Sequence, residues 1–164
     1  IHIEIKPLVY GMCGGCATEP INSAQLSIPY SVAADLVLGN ASLASFSARS
    51  RRSPEIHSLM QRIEFHVDRT QADDEEPQVT VHLKDGRTGS ECVARPLGDP
   101  ANPVTDEALL EKFRSMVGMV MSPETTDRLI LELTRLPETE DIRSELLPLL
   151  ASKPADPTLF KDRA

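Results

Sequence analysis

Apolar and polar residues alternate at the start of the chain, where His2 and Glu4 separate Ile1, Ile3 and Ile5, the period of a strand with one buried face. The same period returns in Ile63, Phe65 and Val67, set among Glu64, His66 and Asp68, and again in Val79, Val81 and Leu83. Asp85-Gly86 then reads as a two-residue turn into Arg87–Val93, which predicts a β-hairpin. Between the first and second strands the signals are helical. Ser27 is a good N-cap, Pro29 falls in the first turn where its missing N–H costs nothing, and Gly39 closes the helix as a C′ residue. Ser53-Pro54-Glu55 repeats the sequence of cap, proline and first-turn acid for a helix running to about Gln61. An antiparallel sheet with helices packed on it is predicted for this half.

The pattern changes at Arg95-Pro96-Leu97-Gly98-Asp99-Pro100-Ala101-Asn102-Pro103, where three prolines and a glycine break the strand and only helical periods follow. Thr105 caps a helix with Leu109, Leu110, Phe113, Met116 and Val117 on one face. Ser122-Pro123 starts a second, striped by Leu129, Ile130 and Leu133, and a third stretch from Thr139 to about Leu150 carries Ile142, Leu146, Leu147 and Leu150. Met116, Met119 and Met121 read as core filler. The fold class is α+β, with an α+β unit over 1–97, helices over 98–150 and a loose, proline- and charge-rich tail over 151–164.

Composition narrows the function. Apolar residues make up 40% of the chain, Trp is absent and aromatics reach only 4%, so the core is aliphatic. A formal charge of −8 excludes nucleic acid as a partner, because a phosphate-binding surface needs clustered Lys and Arg. The triplet Arg49, Arg51 and Arg52 is too short to reverse that, and reads as a solvated loop or, alternatively, a carboxylate-binding rim. No apolar run approaches the roughly 18 to 20 residues of a membrane span, and the N-terminus lacks the pattern of a signal peptide. A soluble, cytoplasmic protein without a membrane partner is expected. The chain opens inside a strand pattern without Met, so further polypeptide is expected before Ile1.

Cys13-Gly14-Gly15-Cys16 has the spacing of zinc knuckles and thioredoxin-type sites. Zinc needs a second ligand pair, and only Cys92 and the scattered His2, His57, His66 and His82 are available; the plainer reading is a glycine-rich turn. Asp73-Asp74-Glu75-Glu76 lacks the frame of a calcium loop and reads as a solvated hairpin loop. No metal or cofactor is expected. Tyr30 is the unusual residue. It sits in the first turn of a capped helix, beside free N–H groups suited to anions, although the plainer reading is a core tyrosine with a satisfied hydroxyl.

The run Ala24-Gln25-Leu26-Ser27-Ile28-Pro29-Tyr30-Ser31-Val32-Ala33-Ala34 with Gly39, then Leu59-Met60, Asp85-Gly86, and Gly98-Asp99-Pro100-Ala101-Asn102-Pro103 leading to Lys112-Phe113-Arg114, resembles the C-terminal part of the MmgE/PrpD family. That family includes 2-methylcitrate dehydratase, cis-aconitate decarboxylase and iminodisuccinate epimerase. The resemblance covers roughly Ile1 to Leu150. It implies a two-domain, cofactor-independent lyase or isomerase of small di- and tricarboxylic acids, with the active site between a large helical domain and an α+β lid.

On that resemblance Tyr30 matches a lid tyrosine of the active site, able to hydrogen-bond substrate or relay a proton. Gln25 and Ser27 are weaker candidates for substrate binding on the same wall. The family's principal His, Asp and Lys fall in a missing N-terminal helical domain, so this chain alone is expected to be inactive. The resemblance also implies a homodimer. A stand-alone α+β binding or assembly module is the alternative reading, because fold does not fix function.

Overall fold

The computed structural model describes residues 1–71 and 75–151. Two compact units divide the chain, Ile1–Asn102 and a second beginning at Pro103. The first unit runs β1 (His2–Ile5), α1 (Pro7–Cys13), α2 (Ile21–Gln25), α3 (Ile28–Leu38), a 3-10 turn (Leu43–Phe46), α4 (Ala48–Arg51), α5 (Pro54–Met60), β2 (Glu64–Val67), β3 (Gln78–His82) and β4 (Thr88–Cys92).

The α+β class holds, and the sheet is mixed. Its order is β2-β1-β3-β4. The pairs β1–β3 and β3–β4 are antiparallel, but β1 and β2 run parallel, with His2 opposite Glu64 and Ile5 opposite Val67. A parallel return needs a long crossover, and α1 through α5 supply it. The alternation in Ile63–Val67 fixes which face is buried and carries no information on strand direction. The hairpin loop is also wider than a two-residue turn. Leu83 N–H bonds the Arg87 carbonyl at 2.8 Å, Gly86 takes a φ of 88°, and Asp85 receives both the Arg87 N–H and its guanidinium. That is the pattern of a turn followed by a left-handed glycine.

Ile3 and Ile5 are fully buried on one face of the sheet, while His2 and Glu4 stay exposed on the other. The larger core lies among the helices: Ala24, Tyr30, Ala33, Ala34, Ile56 and Met60, flanked by Val37, Phe46 and Leu59. Ala33 and Ala34 leave little side chain between α3 and α5. The helix starts follow the expected chemistry. Ser27 caps α3, Gly39 ends it at φ 74°, and Ser53 caps α5.

In the second unit Thr105 caps α6 (Asp106–Val117) and Ser122 caps α7 (Pro123–Thr134). The third stretch splits into α8 (Ile142–Glu145) and α9 (Leu147–Leu150), with Pro148 in the first turn of α9 where it replaces no hydrogen bond. Leu129, Leu146 and Leu149 form the core, with Phe113, Val117 and Met121 against it. Much of each apolar stripe stays in solvent: Leu109, Leu110, Met116, Leu131, Leu133, Ile142, Leu147 and Leu150 are all exposed. The readings of Asp73-Asp74 as a loop and of the tail past Ala151 lie outside the described residues.

Candidate functional site

The start of α3 is held by a short polar circuit. The Ser27 hydroxyl oxygen accepts the Tyr30 N–H at 3.1 Å and donates to the Gly15 carbonyl at 2.6 Å, which ties the helix start to the loop after α1. Tyr30 is fully buried and its ring sits 5.4 Å from that of Phe46. Its hydroxyl donates to the Ser45 carbonyl at 2.5 Å, and the Ser45 hydroxyl donates onward to the Asn40 carbonyl at 3.0 Å.

Arg51 holds the same turn from the other side. Its side chain is 1% exposed, Nη1 donates to the Phe46 carbonyl at 2.9 Å, and Nη2 donates to Glu19 Oε2 at 2.9 Å. The other Glu19 oxygen accepts Arg52 Nε at 3.2 Å, so one carboxylate bridges two guanidiniums through charge-assisted bonds. His57 Nε2 lies 2.7 Å from the Arg51 carbonyl; a carbonyl only accepts, which assigns the proton to Nε2. The arginine triplet is therefore part of a short helix and not a solvated loop. Arg49 is exposed, Arg52 is exposed and paired, and the carboxylate that Arg51 binds is the chain's own Glu19.

Each residue singled out from sequence thus has a definite place. Ser27 and Tyr30 come together through one hydrogen bond, whereas Gln25 is exposed at the end of α2. The resemblance implies a phenol open to substrate. Within this unit the ring is enclosed by Ala24, Ala33, Ile56 and Met60, and its proton is engaged by Ser45. Burial pushes the Tyr30 phenol above its ordinary value; the Arg51 charge opposes that shift and Glu19 adds to it. A neutral phenol in this setting donates a hydrogen bond. The sequence singled out Arg51 within its triplet but not the pairing with Glu19, which lies 32 positions away. The local signal available was Ser47 as a cap before Ala48. Cys13, Cys16 and Cys92 are free thiols, and among the described residues no three His, Cys, Asp or Glu gather into a group that could hold a metal.

In the second unit α6 and α7 flank an open apolar groove of about 200 Å³, lined by Leu109, Leu110, Phe113, Ile130, Leu133 and Thr134. Among the described residues no helix is long and apolar enough to cross a membrane.

Residues 1–136 match the model of the MmgE/PrpD C-terminal domain, and the chain belongs to that family. Among curated proteins it is similar to the cis-aconitate decarboxylase-like protein oryM of Aspergillus oryzae, at 29% identity over 93% of this chain and 33% of that protein. It is also similar to the cis-aconitate decarboxylase of Mus musculus, at 24% identity over 73% of this chain and 25% of that protein. The chain therefore spans about a quarter to a third of the length of these relatives.

Proposed function

We propose that this chain is the C-terminal portion of a lyase that acts on a small di- or tricarboxylic acid, with cis-aconitate as the first substrate to test. The observation that carries the reading is the family match over 1–136 together with two relatives, one named cis-aconitate decarboxylase and the other cis-aconitate decarboxylase-like. Decarboxylation next to a carboxylate leaves a carbanion. It needs cations to hold the remaining carboxylates and an acid to deliver a proton to carbon. Among the described residues of the site, Arg51 and Arg52 are already committed to Glu19 and Tyr30 to Ser45. On the family resemblance the principal acid and base are assigned to polypeptide outside this chain.

In this reading residues 1–97 form the lid, and 98–150 complete a helical body supplied by the remainder of the protein. The exposed leucines of α6 to α9 support that assignment, because amphipathic helices that leave their stripes in water need a partner surface. Ser27, Tyr30 and Arg51 then shape the wall from behind and do not touch the acid. No metal or organic cofactor is required, and the assembled enzyme is a homodimer; chelator-insensitive turnover and light scattering check these two points.

The test is release of carbon dioxide from cis-aconitate, with dehydration of 2-methylcitrate run in parallel. The complete protein turns over one of these acids and the isolated chain turns over neither. Turnover by the isolated chain, or none of either acid by a folded complete protein, contradicts the proposal.

A further inference from the structure

The sheet face opposite Ile3 and Ile5 is polar and in water, and on it the strands gather histidines that the sequence scatters. His2 stands on β1 with Glu64 opposite it on β2, and His82 ends the neighbouring β3. The rings of His2 and His82 lie 5.1 Å apart, centre to centre, with their planes at 77°. Two imidazoles that bind one tetrahedral ion through nitrogen, at roughly 2.0–2.1 Å each, hold their ring centres about 5 Å apart. Each ring also turns Nδ1 to an oxygen. His2 Nδ1 lies 3.6 Å from Glu64 Oε2, and His82 Nδ1 lies 3.0 Å from Thr88 Oγ1. Such outer partners fix the tautomer of a metal-binding histidine, and they leave Nε2 of each ring as the ligand atom.

We propose that His2 and His82 form a binding site for a divalent transition-metal ion of the zinc class, held by the two Nε2 atoms and completed by water. Neutral imidazole suits zinc, copper and nickel, whereas magnesium and calcium prefer oxygen. Among the described residues no third His, Cys, Asp or Glu is placed to complete a metal-holding group, so the remaining positions of the shell fall to water. The Thr80 hydroxyl, opposite His2, is paired with Ser90 at 2.8 Å. His57 is occupied elsewhere, with Nε2 on the Arg51 carbonyl.

An ion at this point ties β1 to β3. The unfolded chain does not hold the two rings together, so binding stabilises the fold by mass action. The site shares no residue with the Ser27–Tyr30 circuit, and the turnover proposed above does not depend on it.

The experiment titrates zinc chloride into the untagged full chain carrying Cys13→Ser, Cys16→Ser and Cys92→Ser, so that no thiol takes the metal. Calorimetry, histidine-ring NMR and thermal unfolding read the result. The expected result is one zinc ion per chain, Nε2 shifts in two rings only, and an unfolding midpoint that rises with zinc. His2→Ala and His82→Ala each weaken binding by at least the roughly tenfold that loss of an outer partner costs a metal site. His66 lies on the same face, opposite Glu4, and His66→Ala leaves binding unchanged. Absence of zinc binding, binding that survives both His2→Ala and His82→Ala, or an equal loss in His66→Ala overturns the site.

Discussion

The two units spend similar helical sequence to different ends. In the first, Ile3, Ile5, Tyr30, Ala33 and Ile56 are completely removed from water, and the buried hydroxyls and guanidinium nearby have protein partners. In the second, α6 buries no residue at all, although its stripe of Leu109, Leu110, Phe113, Met116 and Val117 is a regular helical face. An apolar stripe is buried where it has found a partner within the chain. The first unit encloses the larger core, although Leu8, Met12, Leu36 and Leu38 on its helices are exposed; of its described apolar residues the second buries only Leu129, Leu146 and Leu149, and it keeps a groove and most of its leucines in water.

Substitutions in the two units test that contrast. The largest effect is expected from Ile56→Ala, which empties a site in the α3–α5 core and costs about 3 kcal/mol; chemical denaturation of the chain reads this directly. Glu19→Ala comes next at about 2 kcal/mol, below the range for a fully buried pair because Glu19 is 41% exposed. Glu19→Gln recovers part of it by keeping a hydrogen-bond acceptor for Arg51. Ser27→Ala removes the α3 cap for about 1 kcal/mol.

Tyr30→Phe is expected to cost a similar amount, about 1 kcal/mol, by leaving the Ser45 carbonyl without its donor. It also carries a pH signature. The Tyr30 pKa is raised in the folded state by burial, so its contribution is fully present below the unfolded value near 10 and is lost as pH rises through the folded value. Stability measured from pH 8 to 11 falls in the parent chain, and this component is absent in Tyr30→Phe. In the complete protein the same substitution separates a supporting role from a catalytic one. A phenol acting in the transition state loses at least about tenfold in kcat, whereas the enclosed ring seen here predicts a far smaller change.

The smallest effect is expected from Leu110→Ser in the second unit. In the isolated chain this exposed leucine contributes within about 0.5 kcal/mol.

Sequence patterns located the helix of Ser27 to Gly39, the helix from Ser53, both hairpin strands and the capped helices after Thr105, because each rests on local chemistry. Strand direction was not legible. Ile63–Val67 alternates in the same way whether it returns parallel or antiparallel, and the choice is made by the helical crossover. Nor was the setting of Arg51. A triplet of arginines reads as a solvent face, and only the approach of Glu19 from a distant loop turns one of them inward. Tyr30 was legible as an unusual first-turn residue, but not as the donor to Ser45, since that carbonyl is brought near by the 3-10 turn. The apolar stripes of the second unit were legible as helix faces, while how much of each is covered within the chain is a property of packing alone.

In the proposed enzyme the leucine face of α6 and α7 is covered by the remainder of the protein. Amide hydrogen exchange over Leu109–Leu133, compared between the isolated chain and the complete protein, measures that directly. At least about tenfold slower exchange at these helices is expected in the complete protein, with α3 and α5 little changed. Equal exchange at α6 and α7 in both contradicts it.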